Sequence, residues 1–65
     1  MKVNNVSENA EKFEYMVIRY VDGEAWYYGS WHDFEKAAAC ACEIGGAAIP
    51  TCMVIKGGAN HETLA

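Results

Sequence analysis

Between Phe13 and Ser30 the chain reads FEYMVIRYVDGEAWYYGS, two runs of β-branched and aromatic residues on either side of Asp22-Gly23. Such residues suit a pleated, half-buried surface. Asp-Gly suits a two-residue type I′ turn, which needs positive φ at both central positions. The pattern predicts a β-hairpin, and the turn fixes its register. Val21 faces Glu24, Tyr20 faces Ala25, Arg19 faces Trp26, Ile18 faces Tyr27 and Val17 faces Tyr28. Alternation then sorts the side chains into two faces. Met16, Ile18, Tyr20, Ala25, Tyr27 and Gly29 form an uncharged set, expected to face the core. Tyr15, Val17, Arg19, Val21, Glu24, Trp26 and Tyr28 form the other, which carries charge and is expected outside. Both faces are apolar enough to want cover.

The pattern changes at SWHDFEKAAACACEIGG. Ser30 with Asp33 three residues on has the form of a capping box, with Asp in place of Glu. Asp33 and Glu35 sit where a helix dipole favours negative charge. The alanines favour helix, and Gly45-Gly46 supplies a left-handed stop. The spacing predicts a helix over 31–44. At roughly 100° per residue, Ala38, Ala41 and Gly45 fall within about 40° of Phe34, with Ala37 and Ile44 roughly 60–80° to one side, and this stripe is expected to face the sheet. Beyond it, AAIPTCMVIK predicts a third strand over 51–56. Pro50, which has no amide donor, belongs before it or on a free edge. A right-handed strand–helix–strand crossover lays that strand parallel to the second, with the first between them.

The expected fold is therefore α+β: a small ββαβ unit, a three-stranded sheet in order 2-1-3 with one helix packed on one face. Residues 1–11 are polar without periodicity and read as a flexible N-terminal segment. Residues 12–56 form the single domain, and 57–65, GGANHETLA, read as a flexible C-terminal tail.

Composition narrows the function classes. With 65 residues, 52% hydrophobic and 22% charged, the chain is globular rather than disordered. It is also small enough that stability calls for help from a disulfide, a metal or a second subunit. No apolar run reaches membrane-spanning length, and MKVNNVSENAEK lacks the apolar core of a signal peptide. The protein is expected in the cytoplasm, where three cysteines, an odd number, are free thiols. The net charge of −4 and scattered bases argue against direct nucleic-acid binding.

Cys40 and Cys42 flank Ala41 in the predicted helix. There they project about 160° apart, too divergent for one zinc or for a disulfide with each other. Cys52 falls in the predicted third strand. With His32 on the polar side, the cysteines read as small buried hydrophobes, and no metal is expected. Chemistry is equally thin. Ser30 is explained as a cap, His61 lies in the tail, no carboxylates are forced together by spacing, and the glycine pairs do not open a helix after a strand. A three-stranded sheet leaves little room for a pocket. No enzyme and no cofactor are expected.

What remains is surface. Tyr15, Val17, Arg19, Trp26 and Tyr28 on the outer hairpin face include the residue types enriched at interface hot spots. The expected function is a small non-enzymatic interaction module that binds a protein partner, or itself as a homodimer, through this aromatic face. The alternative is an acidic inhibitor of phage or mobile-element type, anti-CRISPR-like, that blocks a nucleic-acid-binding site on a host protein.

Overall fold

The computed structural model describes residues 1–54. Strands β1 (Tyr15–Val21) and β2 (Glu24–Trp31) form the hairpin, helix α1 (Phe34–Ile44) follows, and β3 (Ala47–Pro50) completes the sheet. Short 3-10 turns span Ala10–Lys12 and Thr51–Met53. The sheet order is β2-β1-β3, with β1 antiparallel to both neighbours. This is the small α+β arrangement the pattern predicts.

The hairpin turn forms as its sequence requires, with Asp22 at φ 53° and Gly23 at φ 81°. Pairing follows the expected register from Val21↔Glu24 to Ile18↔Tyr27 and then slips. A bulge lets Val17 face Gly29 instead of Tyr28, and the strands continue to Tyr15↔Trp31. Tyr28 is the extra residue.

β2 therefore runs through Ser30, and the helix starts later than predicted. Its N-cap is Asp33, whose carboxylate accepts the Glu35 amide at 2.8 Å. The Ser30 hydroxyl is instead 2.6 Å from that of Tyr27. At the far end Gly45 takes the left-handed cap at φ 72°, and the Gly46 amide reaches back to the Ala41 carbonyl at 2.8 Å. That six-residue closure is the Schellman ending. The third strand begins at once, four residues before the predicted start, and Pro50 ends it rather than preceding it. Residues 51–53, expected in the strand, form a 3-10 turn. Positions 55 and 56 of the predicted strand, and the predicted tail over 57–65, lie outside the described residues.

The face expected in the core is buried at Met16, Ile18 and Ala25, but the face expected outside is covered as well at Tyr15 and Val17. α1 packs on the face that carries Tyr15, Val17 and Trp31, where Val17, Ala37 and Ala41 form a buried cluster with Tyr15, Trp31, Cys40, Ile44 and Ala48 against it. The helix presents Ala37, Cys40, Ala41 and Ile44 to the sheet, a stripe rotated by roughly 60° from the expected one. Phe34 is left 51% exposed, its ring edge-on to Tyr15 with centroids 5.2 Å apart. Small residues at the contact let the helix approach closely, which suits Val17 and excludes a bulky Phe34.

The opposite face is covered by a part of the chain expected to be flexible. Met16, Ile18 and Ala25 are buried there with Ala10 and Val54, flanked by Val3, Val6, Tyr27, Ala47 and Ile49. Residues 1–12 run across this face as a strap. Asn4 pairs in parallel with Trp26 at the outer edge of β2. Its amide donates to the Ala25 carbonyl and its carbonyl accepts the Tyr27 amide, both at 2.9 Å. β1 is thus sandwiched, and Met16, Val17 and Ile18 are all fully buried. Each such side chain contributes about 1.5–3 kcal/mol by leaving water.

Candidate functional site

The two covers do not reach equally far along the hairpin. On the helix face α1 ends over Ile18, whose carbonyl lies directly against Gly46. Past that point Arg19, Tyr20 and Val21 of β1 are exposed. Strand alternation puts Arg19 and Val21 on the helix face with their cross-strand partners Trp26 and Glu24. Tyr28 follows two residues after Trp26. Arg19, Val21, Glu24 and Trp26 form an open ledge beyond the helix end, with Tyr28 at the bulge flanking it on the edge strand; Trp26 is 42% and Tyr28 55% exposed.

The bulge makes this ledge. Without it Tyr28 would face Val17 beneath the helix. With it Gly29 takes that place and the Trp31 ring lies over the glycine, 2.8 Å from where a β-carbon would stand. Tyr28 is thereby kept in solvent. Bulges of this kind re-aim a side chain and occur next to functional surfaces.

Of the five residues expected to bind a partner, Arg19, Trp26 and Tyr28 lie together on the ledge. Val17 is 0% exposed in the helix cluster and Tyr15 is half-buried beside it, so neither is offered to a partner. Val21 and Glu24 join the ledge in their place. Glu24 also accepts the Asn4 side-chain amide at 2.8 Å, which ties the ledge to the strap.

Neither sheet edge is open in the same way. Two-residue hairpin closure pairs Val21 with Glu24 by hydrogen bonds, so the even-numbered residues of β1 bond toward β3. The Thr51 amide bonded to the Glu14 carbonyl at 2.9 Å continues that phase. Ala48 and Pro50 then face outward, and Ala48 alone offers an amide, because Pro50 has none. On the other side Asn4 and the bulge interrupt the β2 edge. Both devices blunt an edge against strand addition.

Other candidate chemistry is dispersed. Cys40 is half-buried in the helix cluster, where burial, and the nearby Glu43 carboxylate second, push its thiol up from the ordinary value. Cys42 and Cys52 are exposed, which corrects the reading of all three as buried hydrophobes. Among the described residues no three metal-ligating side chains gather. His32 Nδ1 lies 2.7 Å from Glu14, and its ring stacks on Phe13 at 4.5 Å. The bond from His32, followed by a backbone hydrogen bond, holds the Glu14 carboxyl below its usual range. Both side chains are largely in solvent. A shallow groove of about 310 Å³, larger than the sequence suggested, lies between the strap and the hairpin tip, lined by Lys2, Asn4, Tyr20 and Glu24 among others. Its walls bring together no nucleophile with an adjacent base.

Compared with family models, curated proteins and solved structures, the chain matches none. No helix among the described residues is long and apolar enough to cross a membrane.

Proposed function

We propose that the chain is a small non-enzymatic protein-interaction module that docks through its ledge, with Trp26 and Tyr28 as anchors and Arg19 and Val21 beside them. One observation carries this reading: a bulge, with the Trp31 ring lying over Gly29, leaves Tyr28 exposed two residues along β2 from the exposed Trp26. Large aromatics are the residues a small domain most needs inside. Trp, Tyr and Arg grouped on an uncovered surface match the composition of interface hot spots. The blunted sheet edges favour docking by the face over strand addition. Three free thiols among the described residues suit the reducing cytoplasm, where we place the module. The acidic-inhibitor reading draws its support from the net charge of −4 alone.

The test is site-specific photo-crosslinking in cells that express the chain, with the reactive group at Tyr28 or, as a control, at Lys36 on the outer side of α1. An adduct specific to position 28, whose purified partner binds Trp26→Ala at least about tenfold more weakly, supports the reading. Equal adducts from both positions, or a partner indifferent to Trp26→Ala, would overturn it.

A further inference from the structure

The ledge has a property that a patch meant for an arbitrary partner does not need: it is complementary to itself. It carries one cation, Arg19, and one anion, Glu24, on the same face and diagonal to each other across β1 and β2, with Trp26, Val21 and Tyr28 around them. Asp22 lies beyond it in the turn. A two-fold axis through such a patch brings each residue against a different residue of an identical surface. Placed between Arg19 and Glu24, the axis sets each arginine against the other copy's carboxylate and each apolar group against another. The shape agrees. α1 stands on the sheet as a layer roughly 10 Å thick and stops at Ile18, and stacked sheets lie roughly 10 Å apart. A second ledge laid face to face therefore fills the step that the helix end leaves.

We infer that the ledge is an isologous interface, and that its occupant is a second copy of this chain, with Arg19 of each copy paired to Glu24 of the other. This rests on the reading of the ledge as the docking surface. It also answers the shortage of core in a 65-residue chain: burial of Trp26 and Tyr28, which the fold of one copy leaves in water, is recovered on association.

The experiment is sedimentation equilibrium of the full chain under reducing conditions, from micromolar to sub-millimolar concentration. A mass near twice 7.2 kDa is expected. Arg19→Glu and Glu24→Arg should each weaken the dimer about tenfold or more by setting like charges opposite. An equimolar mixture of the two variants should then form a heterodimer close to the original strength. Only reciprocal pairing between copies gives that rescue. Circular dichroism of each variant at dilute concentration establishes that it folds.

A chain that stays monomeric throughout, a dimer indifferent to both charge reversals, or a mixture that fails to recover would overturn the inference. The two levels separate cleanly. A monomer that still forms the Tyr28-specific adduct with another protein removes only the second copy. A dimer insensitive to Trp26→Ala as well as to the charge reversals removes the ledge as a docking surface.

Discussion

The ring of Trp31 occupies the space in which Gly29 would carry a side chain. Two residues apart on β2, they share one side of the strand by alternation, and the bulge at Tyr28 sets that side on the helix face, with Val17 and Tyr15. Replacing Gly29 by Ala puts a methyl group into the indole. The ring end must swing out of the helix cluster, at a cost of about 1–2 kcal/mol. Gly46→Ala meets the Ile18 backbone carbonyl instead, which has no such freedom. Its cost should exceed about 3 kcal/mol. Urea denaturation of the two variants ranks them; equal losses would mean that Trp31 does not pack as described.

The helix start is testable by two removals. Asp33→Ala deprives the Glu35 amide of its acceptor and should lower stability by about 0.5–2 kcal/mol. Ser30→Ala should leave the helix N-terminus intact, because its hydroxyl serves Tyr27. Amide hydrogen exchange at Glu35 distinguishes them, faster in the first variant and unchanged in the second.

Thr51 is buried, and its hydroxyl has no hydrogen-bond partner among the described residues. Its desolvation is uncompensated, so an isosteric methyl group removes a cost without opening a cavity. Thr51→Val should be neutral to about 1 kcal/mol stabilising. A thermal midpoint lowered by several degrees would show that the hydroxyl is engaged.

Glu14 gives a pH dependence with a definite sign. Its carboxyl is held below its usual range by His32 and by a backbone hydrogen bond. A carboxyl depressed on folding stabilises the protein above its unfolded pKa, and loses that contribution as pH falls through the folded value. Wild type should therefore exceed Glu14→Gln in stability at neutral pH, and the two should converge in acid. Acid titrations of unfolding midpoints check this; a gap that widens on acidification would reverse the assignment.

Much of the framework was legible because it depends on local chemistry. Asp22-Gly23 dictates its turn, Gly45 ends its helix, and the crossover rule orders the strands. Charge is a poor mark of an outer surface here, because Tyr15 and Val17 share a face with Arg19 and Glu24 and are covered by the helix. Arg19 and Glu24 are indeed exposed, but only because the helix stops short of them, and further down the same face Val17 is buried. The bulge was hidden because Gly29 reads as a small residue in either register, and only the size of Trp31 decides between them. The third strand lies earlier than a Pro50 set before it suggests, because Gly46 lets the chain turn directly onto β1 and Pro50 closes the strand. The strap is hard to read because Val3, Val6 and Ala10, though spaced i, i+3 and i+7, are isolated among polar residues and form no regular helix beyond a short 3-10 turn. Of the candidate site, Arg19, Trp26 and Tyr28 were legible from residue type, and their separation from Tyr15 and Val17 was not.

The sandwiching of β1 also imposes an order of events during synthesis. The helix-side cluster draws on residues 15–48 alone. The strap-side cluster joins Ala10 to Val54, and the Met1 amine reaches the Met53 carbonyl across 52 positions. A nascent chain that has released β3 from the ribosome has every residue needed to close the first cluster. It still lacks Val54 and the turn before it, so Met16 and Ile18 wait incompletely covered until the last described residues emerge. In that interval, between two closures on opposite sides of one strand, half of the core stays open to proteases after the other half has closed.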